Sequence, residues 1–141
     1  MQIYERGLAN LRRADSLTIK DWIAQRALGI NSTSLDSAYT SSRMETSELI
    51  EALYQEGDSQ IQQKLQEALV ILLSESTMQG NFAVLSEVLF SINRIDFAFP
   101  TQVLLDFVIN NASNDTAQRV MSDAIALLFE TSHGISDIEN V

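Results

Sequence analysis

Apolar residues recur along most of this chain at spacings of three and four, the period of a helix that buries one face, and no stretch alternates in the manner of a half-buried strand. Tyr4, Leu8 and Leu11, at i, i+4 and i+7, predict a first helix. A second follows, with Thr18 as its cap, Ile19, Trp22, Ile23 and Ala27 facing inward, and Gly29 just past its end. Residues 31–42 then abandon the pattern, with Leu35 and Tyr39 the bulky side chains among Ser, Thr, Asn, Asp and Ala. This stretch reads as an exposed polar connection, which would leave the N-terminal helices less firmly attached than the rest.

The pattern resumes near Met44. Thr46 or Ser47 is placed to cap a third helix with Leu49, Ile50 and Leu53 inside, and Gly57 stops it. Asp58 or Ser59 opens a fourth, whose Ile61, Leu65, Ala68, Leu69 and Leu72 form one stripe. Val70, Ile71 and Leu73 make its later half apolar all round, which predicts burial on several sides. Gly80 and Asn81 punctuate. Phe82, Leu85, Leu89 and Ile92 line a fifth helix. Pro100, the single proline, suits the first turn of a sixth that carries Val103, Leu104, Phe107 and Val108. After a polar turn at 110–115, Asn114 or Asp115 caps a seventh, with Ala117, Val120, Met121, Ala124, Ile125 and Leu128 inside and Gly134 closing it. Phe97 and Phe99, before Pro100, are expected in the core.

A repeat runs through the last five helices. Leu49, Leu85 and Met121 lie 36 residues apart, as do Glu51, Glu87 and Asp123, and Leu53, Leu89 and Ile125. The helices between them also register: Leu69 with Leu105, Ile71 with Phe107, Leu72 with Val108, Leu73 with Ile109. Two helices per period is the spacing of stacked helical hairpins, although equal-length hairpins in an ordinary bundle give it too. In hairpin length and apolar positions, residues 46–130 resemble HEAT-type helical repeats, without the proline and basic residues of that class. The fold class is therefore all-α, with about seven helices stacked as a short solenoid or packed as a bundle. The organisation expected is a mildly basic helical segment at 1–30, a polar linker at 31–43, an acidic helical-hairpin body at 44–134 and a short acidic tail at 135–141.

Composition narrows the chemistry. At 141 residues the chain has the size of one domain that builds a core without staples. It has no cysteine, which excludes disulfides, thiolate metal sites and a cysteine nucleophile. Its longest apolar runs, 68–73 and 124–129, fall far short of the roughly 20 residues of a membrane span. With no apolar leader at the N-terminus, a cytoplasmic location is expected. The formal charge of −10 is uneven: residues 1–43 hold six basic against four acidic side chains, and residues 44–141 hold three against fifteen. Such a body repels nucleic acid and anionic lipid.

No constellation names a reaction. His133 is the single histidine, placed at a helix end, and a Glu-x-x-His metal pair would need two. Glu45, Glu48 and Glu51 share one side of a helix and read as a solvated acidic face. There is no glycine-rich phosphate loop, no Gly-x-Ser-x-Gly elbow and no His-Glu-x-x-His motif. Catalytic, metal and cofactor residues are accordingly assigned to none. The candidate interaction surface is the N-terminal segment, Tyr4, Leu8, Leu11 and Trp22 as apolar anchors with Arg6, Arg12 and Arg13 beside them. Its basic face would meet this chain's own acidic body or that of a second copy.

The function these features favour is a non-enzymatic protein–protein interaction module, a small adaptor or regulatory subunit, whose partner is another protein or itself as a homodimer. The alternatives are an enzyme or enzyme accessory subunit using carboxylates in a pocket, and weak nucleic-acid binding through the basic segment. A deep pocket with convergent charged groups would favour the enzyme, and an open apolar surface with an acidic rim the adaptor.

Overall fold

Three of the helices begin where a short polar side chain, Asp15, Asp58 or Asn81, accepts from a backbone N–H of the first turn. The computed structural model describes residues 5–29, 45–95 and 97–130. Tyr4, the connection at 31–43, His133, Gly134 and the 135–141 tail lie outside the described residues, as does the side chain of Arg6. Among the described residues there is no strand. The helices are α1 (Glu5–Arg13), α2 (Ser16–Ala27), α3 (Thr46–Glu56), α4 (Ser59–Gln79), α5 (Phe82–Ile95), α6 (Thr101–Asn110) and α7 (Gln118–Glu130). A 3-10 turn at Asp115–Ala117 leads into α7.

The caps differ in places from those read off the chain. Asp15, rather than Thr18, caps α2, its carboxylate accepting the Thr18 N–H at 2.8 Å. Asp58 caps α4 by accepting from the Ile61 N–H at 3.0 Å. These contacts hold both carboxyls below their ordinary values. Asn114 accepts from the Thr116 N–H and opens the 3-10 turn, so the seventh helix starts later than its cap suggested. Gly80 closes α4 in the left-handed region at φ +67°, where a side chain is strained. At Gly57, between α3 and α4, a Cβ would lie 2.7 Å from Ile61 Cγ2 and 2.9 Å from the Leu53 carbonyl oxygen.

Neighbours in space are two apart in the chain. α2 lies beside α4 and α4 beside α6; α3 lies beside α5 and α5 beside α7. The two rows meet chiefly where α4 packs on α5. This arrangement fits an all-α bundle or solenoid. α4 also touches α1, α2, α3 and α6, and its Leu65, Ala68, Leu69 and Leu73 are fully buried. Val70 and Ile71 are only half-buried, so the all-apolar stretch is enclosed on most sides rather than all. Phe97 and Phe99 are buried.

The α7 stripe is rotated from the one expected. Ile125 is 39% exposed, and Leu127 is buried in its place, because the inward face runs through Ala117, Val120, Met121, Ala124, Leu127 and Leu128. That set keeps helical spacing throughout.

The N-terminal segment is part of this core and not an appendage to it. Leu8, Leu11, Ile19, Trp22 and Ile23 join the same buried cluster as the α3–α7 residues, and Ile19 and Ile23 have no exposed surface. Polar contacts follow the apolar ones. Lys20 Nζ reaches Glu75 at 2.8 Å, Arg12 meets Asp58 at 3.4 Å, and the Ser16 hydroxyl donates to Glu67 at 2.6 Å. Lys64, on α4, donates to the carbonyls of Arg12 and Ala14 at 2.7 and 2.9 Å, closing the C-terminal end of α1. Surface ion pairs contribute about 0–1 kcal/mol each, so the apolar anchors carry the attachment.

Trp22→Ala is expected to lower unfolding stability by about 3–5 kcal/mol, and Leu69→Ala or Leu72→Ala by about 2–5 kcal/mol, the range for a buried side chain that leaves a cavity. Denaturant titration measures all three. A chain lacking residues 1–29 that melted at the full-length midpoint would contradict the placement of α2 in the core.

Candidate functional site: a groove between α5 and α7

The side chains of α5 divide by face. Val84, Leu85, Val88, Leu89 and Ile92 turn inward, while Phe82, Ser86, Glu87 and Phe90 line the side toward α7. α7 answers with Arg119, Val120 and Asp123, and Ala27 at the end of α2 closes one end. Together they form an open groove of about 480 Å³. A second hollow of about 210 Å³ continues it past Phe90 and Asp123 toward Asn93 and Ala126. Phe90 stands in both and is 44% exposed.

Glu87 is the unusual charge here. Its carboxyl lies beside the Ser47 backbone N–H in the first turn of α3, whose own N-cap residue Glu45 makes no side-chain cap. Its Oε2 is buried without a hydrogen-bond partner. Burial pushes the carboxyl above its ordinary value, and the nearby Glu45 adds to this; the Ser47 N–H and Arg26 act in the opposite sense. Glu48 and Glu51, by contrast, turn to Arg94, at 4.0 and 3.4 Å. Of the three glutamates read as one acidic face, Glu48 and Glu51 thus share Arg94, while Glu45 lies near Glu87. Among the described residues no group of three or more His, Asp or Glu is placed to hold a metal ion.

Comparison with family models, with curated proteins and with solved structures found no match. Of the residues proposed from sequence as an interaction surface, Leu11 and Trp22 are each 1% exposed and Leu8 9%, all spent on the chain's own core. Arg12 is engaged with Asp58, and Arg13 donates to Asn10 at 2.7 Å. Leu8, Leu11 and Trp22 are thus held in the chain's own core, while Tyr4 lies outside the described residues. The groove residues were not singled out as a site, yet a signal was present: Glu87 and Asp123 occupy the acidic position of the 36-residue register. Other hollows lie between α4 and α6, and over Val70, Ile71 and Phe97. Among the described residues no helix is long and apolar enough to cross a membrane.

A carboxyl whose value is raised on folding binds its proton more tightly in the folded state, so it favours folding increasingly as pH falls toward the ordinary range near 4.5. Its ionisation at neutral pH opposes folding. Glu87→Gln keeps an acceptor for the Ser47 N–H and removes the charge. The variant is expected to be at least as stable as the parent at neutral pH, and to lose that advantage as pH is lowered toward 4.5. Paired melts across pH measure the difference, and a clear destabilisation at neutral pH would contradict it.

Proposed function

We propose that this chain is a non-enzymatic protein-interaction module, a small adaptor or regulatory subunit built on a helical scaffold, and that the α5–α7 groove receives an amphipathic helix with a basic edge. The observation that carries this reading is the combination in one open trough of an exposed aromatic, Phe90, with the carboxylates of Glu87 and Asp123. A helix laid in such a groove buries apolar side chains along one stripe. Its lysines would meet the carboxylates of Glu87 and Asp123, which line the groove. Arg119, in the same wall, would favour an acidic or amide group at one end of the partner. The surrounding acidic surface draws a basic segment in and sets its orientation.

The stacked-hairpin architecture belongs to the same proposal. It is supported by the two-apart neighbour pattern and by the common burial of Leu49, Leu85 and Met121, one period apart. Stacked hairpins present continuous troughs between successive helices of one row, which is where this groove lies.

The test is a titration with three synthetic helices sharing one apolar stripe, carrying Lys, Gln or Glu on the flanks. The Lys helix is expected to bind, to weaken as salt is raised, and to lose about tenfold or more in affinity against Phe90→Asp, a cost of at least 1.4 kcal/mol. Equal binding by all three helices, or binding unaffected by Phe90→Asp, would overturn the groove as a docking site.

A further inference from the structure

The internal register shows what the last hairpin lacks. Leu53 and Leu89, one period apart, are fully buried or nearly so, whereas their equivalent Ile125 is 39% exposed. Leu73 on α4 has no exposed surface, and its equivalent Ile109 on α6 is 57% exposed. The sequence keeps these positions apolar, but among the described residues no helix follows α7 to cover them.

The exposed side chains share one flank. The α7 residues turned toward α5 are Arg119, Asp123 and Ala126, and the α6 residues turned toward α4 include Val103, Asp106 and Asn110. At 3.6 residues per turn, Ile125 lies about 100–160° round α7 from that first set and Phe129 about 60–120°, and Ile109 lies about 60–120° round α6 from the second, nearest to Asp106. Phe129 is 57% exposed. Leu105 and Met121, almost buried, form the floor between them. The polar residues at these helical angles are Gln102, Gln118 and Ser122, with the exposed carboxylate of Asp106 at the margin on the α6 side.

We propose that this end face, with Ile109, Ile125 and Phe129 at its centre, is the contact by which two copies of the chain associate about a two-fold axis. The register identifies the kind of surface that belongs there, since in the earlier units the equivalent positions are covered by helices of the same sort. Charge selects the occupant. Two molecules of formal charge −10 repel over most of their surfaces, and a patch with an uncharged centre lets like meet like with carboxylates only at its margin. A basic partner would instead be drawn to the acidic faces. An isologous contact closes on itself, which suits a chain whose other end is occupied by α1 packed on α4. Two helices of 10 and 13 residues offer a footprint about 20 Å long and about 20 Å wide. That is small for a permanent dimer, so association is concentration-dependent.

This inference does not rest on the α5–α7 groove. Sedimentation equilibrium of the full chain up to millimolar concentration is expected to show a monomer–dimer equilibrium. Ile109→Asp and Ile125→Asp should each weaken it about tenfold or more, because each buries a carboxylate against an apolar patch, while Phe90→Asp leaves it unchanged. As the native chain has no cysteine, Ile125→Cys gives a clean second readout. Mild oxidation should link it into a dimer, and Leu17→Cys, exposed on α2, should stay unlinked. A monomer at every concentration overturns the proposal, as does a dimer indifferent to both Asp variants. Growth of higher oligomers, or linkage of Ile125→Cys to Leu17→Cys in a mixture, would mean head-to-tail stacking and overturns the two-fold.

Discussion

Everything in this fold depends on the burial of α4. It is the longest helix described, and it touches α1, α2, α3, α5 and α6. A helix with a single apolar stripe serves one neighbour or a pair of them. α4 serves more because Leu65, Ala68, Leu69, Leu72 and Leu73 cover more than a third of its circumference. The outer helices need only narrow stripes in return. That asymmetry explains why the N-terminal segment belongs to the core: α2 gives α4 a wall of Ile19, Trp22 and Ile23, and without it a broad apolar surface would face water.

The division of charge then acquires a structural meaning. The basic residues near the N-terminus lie where the acidic body begins, and Arg12 and Lys20 settle on Asp58 and Glu75. These pairs orient α1 and α2 against α4; the burial beneath them supplies the energy. Lys64 illustrates the same economy from the other direction, reaching from the acidic body to the open carbonyls of α1. Among the described residues, these contacts between basic segment and acidic body lie within one molecule.

Helical period made the element order and most of the inward residues legible in the sequence, since a buried stripe writes itself at three- and four-residue spacing. Two things were not legible there. Whether Trp22 faces core or partner depends on α4, some forty to fifty residues away, and spacing along one helix carries no information about what covers it. Ile125 and Leu127 both fit a plausible stripe on α7, and only the angle at which α7 meets α5 and α6 chooses between them. The groove is a harder case. Phe82, Glu87, Phe90, Arg119 and Asp123 sit on two helices and form no motif; the register hinted at Glu87 and Asp123, but as a repeat and not as a surface. Glu87 in particular gains its character from burial, with Glu45 nearby, a setting that no local pattern encodes.

Native-state hydrogen exchange on the full chain tests the central claim most directly. If α2 completes the burial of α4, the amides of Trp22 and Ile23 should exchange only through the same global opening as those of Leu69 and Leu72, with matching free energies and matching denaturant dependence. If α2 were instead an attachment on a self-sufficient body, its amides would exchange through a separate opening of lower free energy, while those of α4 kept their full protection. Matched exchange in α2 and α4 is expected; a separate, lower-energy opening of α2 would overturn its place in the core.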